Sequence, residues 1–132
     1  MATDIREILE RFRSGAEEEA FFELLEMPSD IVPALTTAFR TEQNPALRAF
    51  LIKVAWQRGD RQAIALLAEA VNQSDEQIWQ EALDGLVALA SPQALAVLMA
   101  VKTRELSDRS ATRRFQSCVT EALEYIRQII PR

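Results

Sequence analysis

Apolar side chains recur every three or four positions along most of this chain, which is the spacing of one face of an α-helix. Each apolar stripe follows a small polar residue of the kind that caps the free N–H groups at a helix start. The stripes and caps predict eight helices, with starts at Thr3 or Asp4, the capping box Ser14–Glu17, Ser29–Asp30, Asn44–Pro45, Asp60, Ser74–Asp75, Ser91–Pro92, and Asp108 or Ser110. Pro131 is predicted to stop the last helix, so the expected fold class is all-α.

The helices repeat in pairs along the sequence. A shift of 31 residues aligns one pair with the next, with Leu47 on Ile78, Ile64 on Leu95 and the turn Gly59–Asp60 on Ala90–Ser91. A looser copy at a shift of 40 residues places Ala82 on Ala122 and predicts an insertion over Thr103–Arg114. A repeat of this length predicts helix pairs that stack and bury a continuous core between them.

Two segments resemble a known family, residues 47–67 (LRAFLIKVAWQRGDRQAIALL) and residues 78–98 (IWQEALDGLVALASPQALAVL). They are similar to the short HEAT-like repeats of phycobilisome lyase subunits and bacterial scaffold proteins, with an apolar residue opening the second helix of a pair and a small-residue turn before the next first helix. The resemblance implies a right-handed α-solenoid or a compact stack of about four antiparallel helix pairs. It implies one domain over residues 1–132, with a capping pair at 1–28 and repeat pairs at 29–58, 60–90 and 91–130.

One position departs from the family pattern. Repeats of this kind usually carry an arginine directly after the apolar residue that opens the second helix, and Arg48 fits that pattern. Trp79 occupies the equivalent place in the next pair, and Val119 occupies it in the last pair. The polar ladder between repeats is therefore expected to be mostly missing. Trp79, like Trp56, either packs in the core or lies partly exposed as an anchor for a partner.

Composition removes several classes of chemistry. The chain has no histidine and a single cysteine, Cys118, which excludes Cys/His zinc sites, histidine acid–base catalysis and an intrachain disulfide. We expect Cys118 to pack in the core. The carboxylates of Glu17–Glu19 leave a site for a hard cation open, but a solvated helix face explains them better. The sequence therefore predicts a protein that is not an enzyme and has no cofactor or metal.

Charge is distributed unevenly along the chain. Residues 1–30 hold 3 basic and 9 acidic side chains (−6), residues 31–100 hold 5 and 7 (−2), and residues 101–132 hold 7 and 4 (+3). The net charge of −5 and the isoelectric point near 4.8 disfavour nucleic acid as a partner. The basic side chains in and beside the insertion instead predict contact with an acidic protein or with the acidic end of another copy. No signal-peptide pattern and no run of about 18 apolar residues occurs, so we expect a cytoplasmic protein that does not enter a membrane.

The repeat shift also suggests which side chains lie close together on the second helices. Lys53 aligns with Asp84 and Arg48 aligns with Trp79, which predicts a salt bridge and a cation–π contact. These positions and the basic insertion give the candidate partner-binding residues, which are Arg48, Lys53, Trp56, Trp79, Gln80, Asp84, Arg109, Arg113 and Arg114. The alternative is that they form ordinary solvated surface.

The sequence as a whole predicts a small scaffold or adaptor, a monomer or weak homodimer that binds a protein through the second-helix face or the basic insertion. The family resemblance keeps a second hypothesis open, a lyase-like subunit that holds a chromophore or its acceptor protein. Weak nucleic-acid binding is the third hypothesis. Nothing in the sequence identifies the partner.

Overall fold

The all-α prediction is confirmed by a computed structural model, which describes residues 5–28 and 31–130. Within these residues the chain forms eight helices and no strand, namely α1 (Ile5–Arg13), α2 (Glu17–Glu26), α3 (Val32–Thr41), α4 (Pro45–Gln57), α5 (Ala63–Val71), α6 (Glu76–Leu89), α7 (Pro92–Val101) and α8 (Arg109–Ile129). The predicted helix starts at Thr3 or Asp4 and at Ser29–Asp30, and the stop at Pro131, lie outside the described residues.

Four of the predicted helix starts are confirmed by the capping bonds. In each case a side-chain oxygen accepts a hydrogen bond from a backbone N–H in the first turn, as the residue types predict. The capping residues are Asn44 for α4, Asp75 for α6, Ser91 for α7 and Asp108 for α8. Proline follows the cap at the first helical position in α4 and α7, where its missing N–H costs no hydrogen bond.

Two predicted starts are wrong because each polar side chain bonds elsewhere. The Ser14 hydroxyl donates to the Arg11 carbonyl oxygen at 2.9 Å, at the end of α1, and α2 has no side-chain cap. The Asp60 carboxylate accepts a bond from the Arg58 guanidinium at 3.0 Å. A short turn follows Asp60, and α5 begins at Ala63 without a side-chain cap.

The helices pack as four pairs in two layers. Within each pair the two helices contact each other, α1 with α2, α3 with α4, α5 with α6, and α7 with α8. The second helices then pack successively, α2 on α4, α4 on α6 and α6 on α8, and the contact between α4 and α6 is the most extensive in the fold. In the other layer α5 packs on α7. The surface along the second helices therefore contains one seam between each pair of neighbours.

The turns between repeats confirm the 31-residue alignment. Gly59, at the end of α4, has φ +76°, and Ala90, at the end of α6, has φ 45°. Both residues therefore adopt the left-handed conformation that ends a helix, which glycine adopts freely. For Ala90 the conformation costs about 1–2 kcal/mol.

The core is built from the predicted apolar stripes. In α4 the predicted positions Leu47, Leu51, Val54 and Ala55 are fully buried. The largest fully buried side chains are Trp79, Phe39 and Phe115, and no polar or charged residue within 5–28 and 31–130 is buried.

Candidate binding groove

The seam between α4 and α6 is closed by one tryptophan. The Trp56 ring lies directly against the backbone of α6 at Gly85, where an added Cβ atom would be 2.7 Å from two of its carbons, Cγ and Cδ1. Only glycine leaves room for the ring at this position. The indole Nε1 donates a hydrogen bond to the Glu81 carboxylate at 3.0 Å. Trp56, a predicted partner anchor, is therefore half-buried and its N–H group is satisfied within the domain.

The next seam, between α6 and α8, is open. Val87 lies 31 residues after Trp56, so the repeat places a small side chain where the neighbouring seam has an indole ring. A groove of about 540 Å³ results. We call it the α6–α8 groove, and it is lined by Gln80, Leu83, Asp84, Val87, Ala88, Ala90, Cys118, Glu121, Ala122, Tyr125 and Ile129.

The floor of the α6–α8 groove is apolar and its edges carry polar and large apolar side chains. Leu83 and Ala122 are buried beneath it. Tyr125 and Ile129 are 55% and 46% exposed, which is unusual for apolar residues of this size when they lie side by side. Gln80, Asp84 and Glu121 are exposed at the edge, so two of the predicted partner-binding residues line this groove.

The groove is electrostatically negative. Burial raises the pKa of Asp84, while a hydrogen bond from Gln80 acts in the opposite direction. The pKa of the half-buried Cys118 thiol is also raised, by burial first and then by the negative charges of Glu121, Glu76 and Asp84. Among the ion pairs of residues 5–28 and 31–130, none includes Asp84 or Glu121. The carboxylates of the groove therefore have no cation partner among the residues that the structure describes.

Comparison with known protein families identifies the repeat. The family described as HEAT repeats matches residues 32–115, which is more than half of the chain. The chain belongs to the HEAT-repeat family. Searches among curated proteins and among solved structures gave no significant match. Among the described residues, no HEAT helix has both the length and the apolar character needed to cross a bilayer.

Two contacts predicted between neighbouring HEAT repeats are wrong. The Lys53 amino group lies 5.4 Å from the centre of the Phe21 ring and forms no ion pair with Asp84. The Arg48 guanidinium lies 4.2 Å from the Phe39 ring centre and donates to the Phe39 carbonyl oxygen at 3.0 Å. The repeat shift identifies equivalent positions on neighbouring helices. Helix axes are about 8–10 Å apart, so equivalent positions need not touch.

Trp79 is a core residue, and the partial exposure considered from the sequence is wrong. Only 1% of the side chain is exposed, and its ring meets Phe115 edge to face, with centroids 5.1 Å apart. Its Nε1–H group has no hydrogen-bond acceptor. Burial of this ring removes it from the surface that a partner could contact. Cys118, predicted to be buried, is only half-buried and lines the groove.

An arginine from the insertion takes the place of the missing ladder arginine. Arg104 donates to the carbonyl oxygens at the end of α5, those of Val71, Asn72 and Gln73, at 2.9–3.0 Å. Its guanidinium also lies 4.9 Å from the Phe115 ring centre. Arg48 makes the corresponding contact at the end of α3. An arginine therefore contacts the end of the first helix in both places, but in the second it comes from the insertion.

The remaining basic residues lie at the start of α8. Arg114 pairs with Glu76 at 2.8 Å, whereas Arg113 and Arg109 are exposed and take part in no ion pair within the described chain. Arg113 and Arg114 line a smaller hollow of about 310 Å³ that shares Gln80 and Cys118 with the α6–α8 groove. The structure thus brings four predicted residues together along one seam, which are Gln80, Asp84, Arg113 and Arg114. It places Arg48, Lys53 and Trp56 on α4, and Arg109 outside the groove.

Four residues that make the groove open, apolar and negatively charged were not predicted from the sequence. These are Val87, Glu121, Tyr125 and Ile129. The repeat alignment contained the signal for two of them, because Val87 aligns with Trp56 and Glu121 lies 40 residues after Glu81. A comparison of side-chain size between aligned seams would have predicted the opening.

Proposed function

We propose that this HEAT-repeat protein is a non-enzymatic scaffold or adaptor that binds a segment of a partner protein in the α6–α8 groove. The observation that carries the proposal is the open seam itself, where the neighbouring seam is closed by Trp56. Stacked repeats commonly use the surface along their second helices to bind other proteins.

The composition of the groove supports a protein partner. Protein interfaces combine an apolar centre with a polar rim, and tyrosine is enriched among the residues that contribute most to binding. Four large apolar side chains are exposed in the described part of the chain, and two of them, Tyr125 and Ile129, lie together at this groove. The other two, Phe22 and Met99, lie on α2 and α7.

The packed helices beneath the groove favour a binding surface that is already formed before the partner binds. The floor residues Leu83 and Ala122 belong to the same buried core as α4 and α5. A groove formed by packed helices loses little conformational entropy when a partner binds. The rim extends to Arg113 at the start of α8, which adds a charged end to the apolar surface.

A random peptide library displayed on phage tests this function directly. Peptides selected on the wild-type domain should bind at least about tenfold more weakly to the double variant Tyr125→Ser, Ile129→Ser, because both side chains contribute apolar contact area. Both residues are exposed, so the variant should retain its helical circular dichroism and its unfolding transition.

The matched control is Phe22→Ser, which removes an equally exposed aromatic ring from α2. This variant should bind the selected peptides as the wild type does. If the peptides bind the groove variant with unchanged affinity, or if Phe22→Ser abolishes their binding, the groove is not the protein-binding surface.

A further inference from the structure

Building on the proposed function, we infer that the occupant of the α6–α8 groove is a cationic amphipathic segment. It places a large apolar residue beside Val87 and a neighbouring lysine or arginine against Asp84 and Glu121. Three features of the domain support this partner chemistry.

The first observation is an internal template in the adjacent seam. There the Trp56 ring fills the space between α4 and α6, and its N–H donates to Glu81. In the α6–α8 groove the repeat alignment provides the acceptor, Glu121, but replaces the ring by Val87. On the α8 side Tyr125 aligns with Gly85 and provides a ring without an N–H group. The groove therefore lacks the N–H donor of the adjacent seam and the ring on its α6 side, and we expect the partner to supply them.

The second observation distinguishes a cation from a neutral donor. Two carboxylates, Asp84 and Glu121, line the same groove and neither has a cation partner among the described residues. Their charges also reach the Cys118 thiol on the α8 side, whose pKa they help to raise. A neutral N–H group satisfies one acceptor, whereas an ammonium or guanidinium group is also attracted by the negative charge of both carboxylates.

The third observation sets the orientation of the segment. The hollow that continues the groove contains Arg113, which forms no ion pair within residues 5–28 and 31–130, and Arg114, which is paired with Glu76. A cation on the partner is repelled at that end and attracted at the Asp84 end. Asp84 and Tyr125 follow the shared residues Gln80 and Cys118 along α6 and α8, so the cation contact and the apolar contact are expected away from the two arginines.

The peptides whose binding depends on Tyr125 and Ile129 provide the test. We expect these peptides to be enriched in lysine or arginine beside a large apolar residue, relative to the unselected library. The double variant Asp84→Asn, Glu121→Gln should bind them about three- to tenfold more weakly, and raised ionic strength should reduce the difference because the charges lie at the rim.

The control variant Glu105→Gln, Glu124→Gln has the same net charge, and its two substituted carboxylates are exposed and lie outside the groove. It should bind the peptides nearly as the wild type does. Groove-dependent peptides without excess cations, or with equal affinity for both charge variants, would overturn the inference and leave the proposed function intact. If no selected peptide depends on the groove, both proposals fail.

Discussion

The tightest contact between repeats, Trp56 against Gly85, can be tested by adding one methyl group. In Gly85→Ala the new Cβ atom would lie 2.7 Å from the ring carbons Cγ and Cδ1 and 2.8 Å from the Trp56 Cβ. These atoms lie at the base of the side chain, so a change of terminal rotamer cannot relieve the contact. The ring must shift, and its hydrogen bond to Glu81 must lengthen.

The expected magnitude is the balance of two opposing effects. Alanine is favoured over glycine inside a helix by about 1 kcal/mol. Overpacking of a well-filled contact costs about 1–3 kcal/mol, and weakening the bond to Glu81 adds about 1 kcal/mol. We therefore expect Gly85→Ala to lower the free energy of unfolding by about 1–3 kcal/mol.

A double-mutant cycle measured by urea unfolding, followed by circular dichroism, checks this reasoning. In a Trp56→Ala background the clash is absent, so Gly85→Ala should raise the free energy of unfolding by up to about 1 kcal/mol. The coupling energy should be about 2–4 kcal/mol. Ala88→Gly, at an exposed position of the same helix, measures the propensity effect separately. Stabilisation by Gly85→Ala in the wild-type background would refute the packing account.

Variants at three further residues test other contacts in the fold. Trp79→Phe should change the free energy of unfolding by less than about 1 kcal/mol in urea titrations, because the lost ring contacts are offset by removal of a buried N–H group that has no partner within the described chain. Trp79→Ala should lower the free energy of unfolding by about 3–5 kcal/mol, because it removes the whole buried ring. Arg104→Met should cost about 1.5–3 kcal/mol in the same assay, since it removes three hydrogen bonds at the end of α5. The hydrogen bond from Arg40 lowers the pKa of Glu69, although burial acts in the opposite direction. The stability that this pair contributes is therefore fully present above the ordinary glutamate pKa of 4.5 and is lost as the pH falls through the lowered pKa. Urea midpoints measured near neutral pH and in acid should therefore differ less in Arg40→Gln than in the wild type, and equal differences would contradict the pairing.

The parts of the fold that depend on local chemistry could be predicted from the sequence. Apolar stripes and capping residues identified the helices, and Asn44 and Ser91 cap as their residue types and following prolines predict. The prediction at Asp60 was wrong because a second partner, Arg58, competes for the same carboxylate. Local propensity does not include such competition between side chains.

The candidate site was harder to predict because it depends on contacts between repeats. The alignment identified Lys53 and Asp84 as equivalent, but Lys53 lies over the Phe21 ring of α2, whereas Asp84 lines the groove between α6 and α8. The Trp79 ring packs against Phe115 of α8, and the Arg104 guanidinium lies over the same Phe115 ring, contacts that do not follow from the repeat pattern. The groove exists because the side chains of two aligned seams differ, so predicting it requires a comparison of Val87 with Trp56 in the repeat alignment.

The proposed function requires that the open α6–α8 seam is the protein-binding surface. Val87→Trp tests this claim most directly, because it places a ring in the groove at the position that aligns with Trp56, where α8 carries Tyr125 in place of the aligned Gly85. Val87 is half-buried beside open space, so the free energy of unfolding should remain within about 1 kcal/mol of the wild type. Binding of groove-selected peptides, measured by fluorescence anisotropy, should weaken by more than about tenfold. A folded Val87→Trp variant that binds these peptides with wild-type affinity would contradict the account.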